Sequence, residues 1–167
     1  MATKIVGAAP NLSGERPLDP DFKCAVVAAE WNAEIISGLI AGATKCFDEC
    51  GIERSKIELI RVPGTIELTF GAREVIASLK PSVVIVFGCV IRGDTPHFDY
   101  VCQSITQGVT TLNAEGETPV IFGVLTTENL EQALDRIGGS AGDKGYEAAQ
   151  AAISMSNLSY RLRHCEK

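Results

Sequence analysis

The run Ser82-Val83-Val84-Ile85-Val86-Phe87 constrains the fold of this 167-residue chain more than any other segment. It is apolar and rich in β-branched residues, and it does not alternate between polar and apolar positions. Such a run is typical of a parallel strand that helices cover on both sides. Short apolar runs alternate with longer amphipathic segments along the rest of the chain, which is the pattern of repeated βα units. The sequence therefore predicts an α/β fold with three layers, α/β/α, in which a flavodoxin-like, four-stranded parallel sheet carries helices on both faces.

The apolar runs predict four strands, over Lys23–Ala29, Ile57–Val62, Val83–Cys89 and Val120–Leu125. The amphipathic segments predict five helices, over Ala33–Cys50, Leu68–Leu79, Asp99–Ala114, Leu130–Ile137 and about Lys144 to Leu162. Gly51 and the pair Gly138-Gly139 follow the first and fourth helices, where C′ glycines end a helix. We expect a single domain over residues 23–167, preceded by an N-terminal arm over residues 1–22. The arm either lies over the surface or pairs with the sheet edge of a neighbouring subunit.

Composition excludes several classes of partner. The formal net charge is −6 and the pI is near 5.0, and the Lys and Arg residues are not clustered. These values argue against a nucleic acid or an anionic membrane surface as the main partner. The apolar runs are too short for a bilayer, and the first ten residues lack an extended apolar region. We therefore expect a cytoplasmic protein with no nucleic-acid or membrane partner, in which any anion site is local.

The six cysteines match neither a metal motif nor the disulfide framework of a small secreted domain. We expect reduced thiols. Cys46 and Cys50 would share a helix face and could supply two metal ligands, but no second pair stands at a supporting spacing. Packing is therefore the favoured interpretation of both, and no metal site is predicted.

Each predicted strand ends in a cluster of polar or aromatic residues: Glu30 to Asn32, Pro63 to Glu67, Arg92 to His97, and Thr126 to Asn129. Because the carboxyl ends of parallel strands lie side by side, we expect the four clusters to meet at one edge of the sheet. Open α/β sheets bind their ligands at that edge. The clusters would offer an aromatic face, a carboxylate, an anion site and an acid–base group.

The loop after the third strand carries the most informative residues. The segment from Gly93 to Thr95 offers backbone N–H groups just ahead of the predicted third helix, which suits an anion such as phosphate. His97 is a candidate for proton transfer, because histidine is the side chain whose unperturbed pKa lies near neutrality. Pro96 restricts the backbone, so we expect His97 on a stiffened loop.

Four segments, in their order and spacing, resemble the lumazine synthase family from about Phe22 to the terminal helix. They read WNAEI, VPGTIEL, GCVIRGDTPHFDYV and PVIFGVLTTENLEQALDRIGGSAGDKG. The resemblance implies a transferase that condenses 5-amino-6-(D-ribitylamino)uracil with 3,4-dihydroxy-2-butanone 4-phosphate, the penultimate step of riboflavin biosynthesis. It implies no cofactor and no metal, since catalysis in the family relies on orientation and proton transfer.

The resemblance also implies roles for single residues. His97 matches the proton-transfer residue of the family. The residues implied to bind the ribitylaminouracil are Trp31, by stacking, with Thr65, Ile66, Glu67, Cys89, Val90, Ile91 and Phe122. The residues implied to hold the phosphate are Gly93, Asp94, Thr95 and Arg136. Phe122 and Arg136 would enter the site from an adjacent subunit.

Several of these residues also have a purely structural interpretation. Trp31 taken alone would be a core tryptophan, and Glu67 would be a solvated glutamate at a helix N-terminus. We expect Cys89 to be an inert packing thiol rather than a nucleophile. Arg136 could form an i,i+4 ion pair on its helix, and His164 is expected at the solvated surface.

Trp31, Asp94 and Ser140 stand where the family more often has phenylalanine, a small residue and lysine. The larger indole suits a tricyclic ring, so we expect riboflavin or FMN as a further ligand. The carboxylate of Asp94 should point away from a bound phosphate, because like charges repel. Ser140 weakens the attraction for anions.

The resemblance implies pentamers, which in some members assemble into hollow icosahedral shells. The short turn from Gly138 to Asp143 is shared with shell-forming members, so we favour a shell of about sixty subunits over an isolated pentamer. Riboflavin synthase is a further candidate partner.

Two rival functions stay open on the sequence. A flavodoxin-like FMN electron carrier would share the sheet, but the expected phosphate loop after the first strand is lacking. A flavin-binding or shell-forming homologue without turnover is the alternative, and the joint presence of Glu67, His97 and Arg136 argues against it.

Overall fold

The two most apolar strands occupy the centre of the sheet. In the computed structural model, which describes residues 15–164, all neighbouring strands are parallel and their order is β2-β1-β3-β4. The strands span β1 (Cys24–Ala29), β2 (Ile57–Val62), β3 (Val83–Ile91) and β4 (Val120–Thr127). Every residue of β1 is buried, as are the first seven of β3, whereas β2 at the edge is partly exposed. Burial on both faces explains why the central strands have no polar positions.

Two layers of helices cover the sheet. α1 (Ala33–Glu49) and α5 (Lys144–His164) pack on one face, and α2 (Leu68–Leu79) and α3 (His97–Glu115) pack on the other. Alternate residues of β3 serve the two cores, because successive side chains of a strand point to opposite faces. The smaller elements are a 3-10 turn at Arg54–Lys56, the short helix α4 (Leu130–Leu134), and an antiparallel hairpin of β5 (Ile137–Gly139) and β6 (Gly142–Asp143).

The predicted fold class is confirmed, and each predicted strand and helix forms. The boundaries differ where tertiary pairing decides them. β3 and β4 each continue two residues beyond the predicted ends, and they finish as a pair, Ile91 opposite Thr127. α4 ends at Leu134, three residues before the predicted end, because the chain then enters the β5–β6 hairpin.

The prediction that His97 lies on a stiffened loop is wrong. α3 begins at His97, two residues before the predicted start, so this side chain projects from the first turn of a helix. Pro96 precedes it with a φ of −62°, the value that its ring imposes and that a helix requires. The carbonyl of Pro96 accepts a hydrogen bond from the backbone N–H of Asp99 at 3.0 Å. The proline therefore begins the helix.

Gly51 ends α1 as predicted. Its φ is +71°, and its own N–H and that of Ile52 donate to carbonyls in the last turn of α1 at 3.1 and 2.9 Å. These two bonds define a Schellman motif, in which a left-handed residue favours glycine. The capping prediction for the pair Gly138-Gly139 is wrong. Gly138 has a φ of +109° but lies in β5, at the bend that leads into β6.

The described part of the arm is fixed to α5 of its own chain. Asn157 is buried, and its Oδ1 accepts a hydrogen bond from the N–H of Leu18 at 2.8 Å. Its Nδ2 donates to the carbonyl of Arg16 at 2.9 Å and to a carboxylate oxygen of Glu15 at 3.1 Å. Residues 1–14, most of the predicted arm, lie outside the described residues, as does Cys165.

The five described cysteines are free thiols. Cys46 and Cys50 are buried in the core beneath α1, which supports the packing interpretation. Burial raises the pKa of Cys46 to about 12. Within residues 15–164, no three His, Cys, Asp or Glu side chains cluster as metal ligands would. In the same part of the chain, no helix combines the length and the apolar character that crossing a bilayer requires.

Candidate active site

The register of the strands brings the predicted clusters to one edge of the sheet. Ala28 of β1 lies opposite Phe87 of β3, and the ladder between β3 and β4 continues to Ile91 opposite Thr127. The loops after the four strands therefore leave the same edge, which is where open parallel sheets bind ligands.

The loop after β1 is anchored to both neighbouring strands. The N–H of Glu30 donates to the carbonyl of Val62 in β2 at 2.9 Å. Asn32 adopts a left-handed conformation, with a φ of 58°, and its Nδ2 donates to the carbonyl of Cys89 in β3 at 2.8 Å. Trp31, between these anchors, is 74% exposed. The core interpretation of Trp31 is therefore wrong: its ring is presented to solvent from a fixed loop.

Trp31 and Glu67 both approach Gly64, in the loop after β2. A Cβ built on Gly64 would lie 3.6 Å from Cδ1 of Trp31 and 3.0 Å from Oε2 of Glu67. The indole and the carboxylate thus both lie close to the space that a side chain at position 64 would occupy. Ile66 adds an apolar group that is 43% exposed. This arrangement gives a flat ring a stacking surface and a hydrogen-bond acceptor.

Thr65 packs the same loop against β3. Its side chain is buried, and a Cβ built on Gly88 would lie 3.0 Å from its Oγ1. Gly88 thus permits a close approach that any larger residue would obstruct. Thr65 itself is turned into the protein, so a ligand would reach its backbone rather than its hydroxyl.

The last residues of β3 lie at the same sheet edge as the site. Cys89 is buried, and Val90 and Ile91 are half-buried. The carbonyl of Cys89 is occupied by Asn32. Burial raises the pKa of the Cys89 thiol to about 11, so the group is neutral at physiological pH. The prediction of an inert thiol is supported by this burial.

The loop from Gly93 to Pro96 is exposed along its length. A Cβ built on Gly93 would meet no atom within 4 Å, so this backbone is open to a ligand. The loop leads directly into α3, whose first N–H groups have no partners within the helix and favour an anion. His97, the first residue of α3, is exposed beside that helix start.

Arg92 was not predicted as a site residue. Its Nε lies 2.9 Å from Oε2 of Glu128, and its Nη2 lies 3.2 Å from Oδ1 of Asp99. The guanidinium carbon lies 4.1 Å from the centre of the Phe98 ring. The two carboxylates raise the pKa of the guanidinium further, so it is always charged. The sequence offers no local signal for this cluster, because Glu128 is distant along the chain.

Within one chain, Phe122 lies away from the other predicted site residues. Phe122 lies within β4, five residues before Thr127, and is therefore roughly 16 Å from the edge that bears the site. It is 42% exposed. Arg136 lies just beyond α4 and donates from Nη1 to the carbonyl of Gln132 at 2.7 Å. It forms no ion pair among the described residues, so the structural alternative of an ion pair on its helix is not supported.

Similarity to known proteins extends over most of the chain. A family model described as 6,7-dimethyl-8-ribityllumazine synthase matches residues 21–160. A protein of Bacteroides fragilis with that name is 48% identical over 141 residues, which cover 84% of this chain and 99% of that protein. One from Micrococcus luteus with the same name is 48% identical over 155 residues, 92% of this chain and 94% of that protein. A third, from Parabacteroides distasonis, is 48% identical over 139 residues, 83% and 87% of the two chains.

The Cys89 thiol will resist alkylation in the folded protein. With a pKa of about 11, only about one thiol in a thousand is ionised at pH 8, and the thiolate is the reactive form. Iodoacetamide at pH 8, followed by mass spectrometry of the Cys89 peptide, should label it far more slowly in native protein than in guanidinium. Equal labelling rates in the two states would contradict a buried, neutral thiol.

Proposed function

The chain belongs to the 6,7-dimethyl-8-ribityllumazine synthase family, and from that premise we propose that it condenses 5-amino-6-(D-ribitylamino)uracil with 3,4-dihydroxy-2-butanone 4-phosphate. The products are 6,7-dimethyl-8-ribityllumazine, phosphate and water. The chain is thus a transferase of riboflavin biosynthesis. The observation that carries this function is the exposed Trp31 beside Glu67, at the same sheet edge as the open loop that leads to His97.

The pyrimidine is held at the Trp31 end of the site. Its ring stacks on the indole, and the carboxylate of Glu67 accepts hydrogen bonds from the ribityl chain or the ring. Val90 and Ile91, half-buried at the end of β3, line the apolar side. Because Asn32 fixes the loop to β3 at 2.8 Å, the stacking surface is in place before the substrate arrives.

The phosphate is held at the other end. Backbone N–H groups of Gly93 to Thr95 and of the α3 terminus face it. The net charge of −6 makes the protein as a whole repel an anion, so a local cation is required. Arg136 of an adjacent subunit supplies it, because its guanidinium has no carboxylate partner among the described residues and can grip two phosphate oxygens. Exposed Asp94 turns its carboxylate towards solvent.

Catalysis consists mainly of orientation. The substrate amine and ketone form an imine, phosphate is eliminated, and the ring closes. His97 moves protons at the reacting carbonyl and at the leaving phosphate, from the first turn of α3. Ser140, whose Oγ donates to the Asp135 carboxylate at 2.9 Å, provides no charge here.

The site is completed by a neighbouring subunit. Phe122 is roughly 16 Å from the site edge of its own chain but is exposed on edge strand β4, as a residue that serves a neighbour's site would be. We propose a ring of five subunits, which the resemblance to the family implies, and the short β5–β6 hairpin between α4 and α5 suits a shell of twelve such pentamers.

Riboflavin or FMN is a further ligand of the pyrimidine end. The indole of Trp31, 74% exposed, offers a larger stacking face than a phenyl ring does. Riboflavin synthase, which consumes the product, is a candidate partner. The free thiols of the described chain suit a reducing compartment, and we place the protein in the cytoplasm. No observation favours the alternative of a homologue without turnover.

The purified protein should accelerate lumazine formation from the two substrates, followed by absorbance against a protein-free control. His97→Ala should slow single-turnover condensation by about 10²-fold without abolishing it, because general acid–base catalysis contributes that much and orientation persists. His164→Ala, at the exposed end of α5, is the matched control and should leave the rate unchanged. Folded protein without acceleration would refute the function, and an unchanged rate in His97→Ala would remove this residue from the mechanism.

The mass of the particle in solution distinguishes a pentamer from a shell. Five subunits of 17.8 kDa make about 89 kDa, and sixty make about 1070 kDa. Light scattering of the full chain after size exclusion should give the larger species. A particle near the smaller mass would refute the shell but retain the shared site, whereas a monomer that turns over would refute both.

Flavin binding can be measured on one fluorophore, because Trp31 is the only tryptophan. Titration with riboflavin or FMN should quench both the indole and the flavin emission. Trp31→Phe should weaken flavin binding while condensation continues, since a phenyl ring still stacks on the pyrimidine. Absence of quenching at high micromolar protein would exclude this ligand.

A further inference from the structure

The guanidinium of Arg92, which precedes the loop proposed to hold the phosphate, contacts residues that follow the loop. Arg92 is the last residue fixed by the sheet, because its N–H donates to the carbonyl of Thr127 at 2.9 Å. Its side chain reaches backward to Glu128, after β4, and forward to Phe98 and Asp99 in α3. The loop from Gly93 to Pro96 lies between these contacts. We name this cluster the arginine clamp; it consists of Arg92, Glu128, Phe98 and Asp99.

The loop has little else to define its shape. Its residues are exposed, and open space surrounds Gly93. Gly93 has no side chain to restrict its backbone, so the segment would sample several conformations if its two ends were free. The first end is instead held by the backbone bond of Arg92 to Thr127, and the guanidinium of Arg92 ties the far end through Asp99. The arginine clamp therefore restricts the direction in which the loop's N–H groups point, as well as the start of α3 that bears His97.

The charge of Arg92 is already matched. Two carboxylates lie against it, so the cluster is net negative and gives no attraction to an anion. The side chains are exposed by 38% for Arg92, 63% for Asp99 and 61% for Glu128. Exposed ion pairs of this kind contribute little to the free energy of unfolding. The clamp thus sets the geometry of the loop. It supplies neither a net positive charge nor much free energy of unfolding.

We propose that Arg92 is a positioning residue, which holds the phosphate loop and the start of α3 in their productive arrangement through Glu128 and Asp99. The proposal rests on the proposed function for its kinetic consequence only. A guanidinium is required because its planar fork reaches two carboxylates while its face covers Phe98, whereas a lysine ammonium is a point charge on a flexible stem.

The kinetic test uses Arg92→Gln, Arg92→Lys and Glu128→Gln in the full-length protein. Each should raise KM for the butanone phosphate and lower kcat, with a total loss of about tenfold or more, while KM for the ribitylaminouracil stays unchanged. Combining Arg92→Gln with Glu128→Gln should cost no more than Arg92→Gln alone, since both break one clamp. Arg54→Gln is the matched control, because it breaks the exposed pair of Arg54 with Asp48 at 2.9 Å elsewhere.

A second measurement does not need turnover. Backbone hydrogen exchange of the peptide that contains Gly93 to Pro96 should be about tenfold faster in Arg92→Gln than in the wild type, while peptides of β1 and β3 are unchanged. If the wild type fails to form lumazine, the proposed function fails and this measurement still tests the clamp. Unchanged exchange would overturn the proposal. So would full rescue by Arg92→Lys or a lowered KM for the phosphate substrate in Glu128→Gln, because either would make Arg92 a charge that binds the anion.

Discussion

The burial of β3 between its neighbours and the two helix layers is the constraint on which the other features depend. Its first seven residues are inaccessible to solvent, and its two sets of alternate side chains supply both cores. Because β3 pairs with β1 on one side and β4 on the other, its position fixes where the loops after those two strands emerge. The site exists because a rigid, apolar strand ends at Ile91 and the next residues are free to face a ligand.

Neighbouring carboxylates neutralise basic side chains that could otherwise attract an anion. The chain is acidic, with a formal charge of −6, yet its proposed substrate carries a phosphate. Arg92 is matched by two carboxylates, and Lys144 lies 2.8 Å from the carboxylate of Glu147. The donors proposed for the anion are therefore backbone N–H groups and Arg136, which forms no ion pair among the described residues. Recognition thus depends on a few directed donors, which makes their orientation more important than the total charge.

The sequence predicted the sheet and its helices well because their signals are local. β-Branched runs, amphipathic periods and Gly51 each act through neighbouring residues. What it missed depends on contacts between distant segments: the last two residues of β3 and β4 form because they pair with each other, and Arg92 meets Glu128 only after folding. Exposure of Trp31 could not be decided by composition, since the same residue type also fills cores. The predicted roles of Phe122 and Arg136 involve a second chain, which one sequence does not place.

The hydrogen bonds of Asn157 to the arm determine which substitutions the anchored positions tolerate. Its amide recognises mainly main-chain groups, the N–H of Leu18 and the carbonyl of Arg16. Almost any side chain at those two positions preserves these bonds, so the anchor tolerates substitution where a side-chain lock would not. Positions 16 and 18 are therefore free to vary in side chain, while the point of attachment to α5 stays where it is.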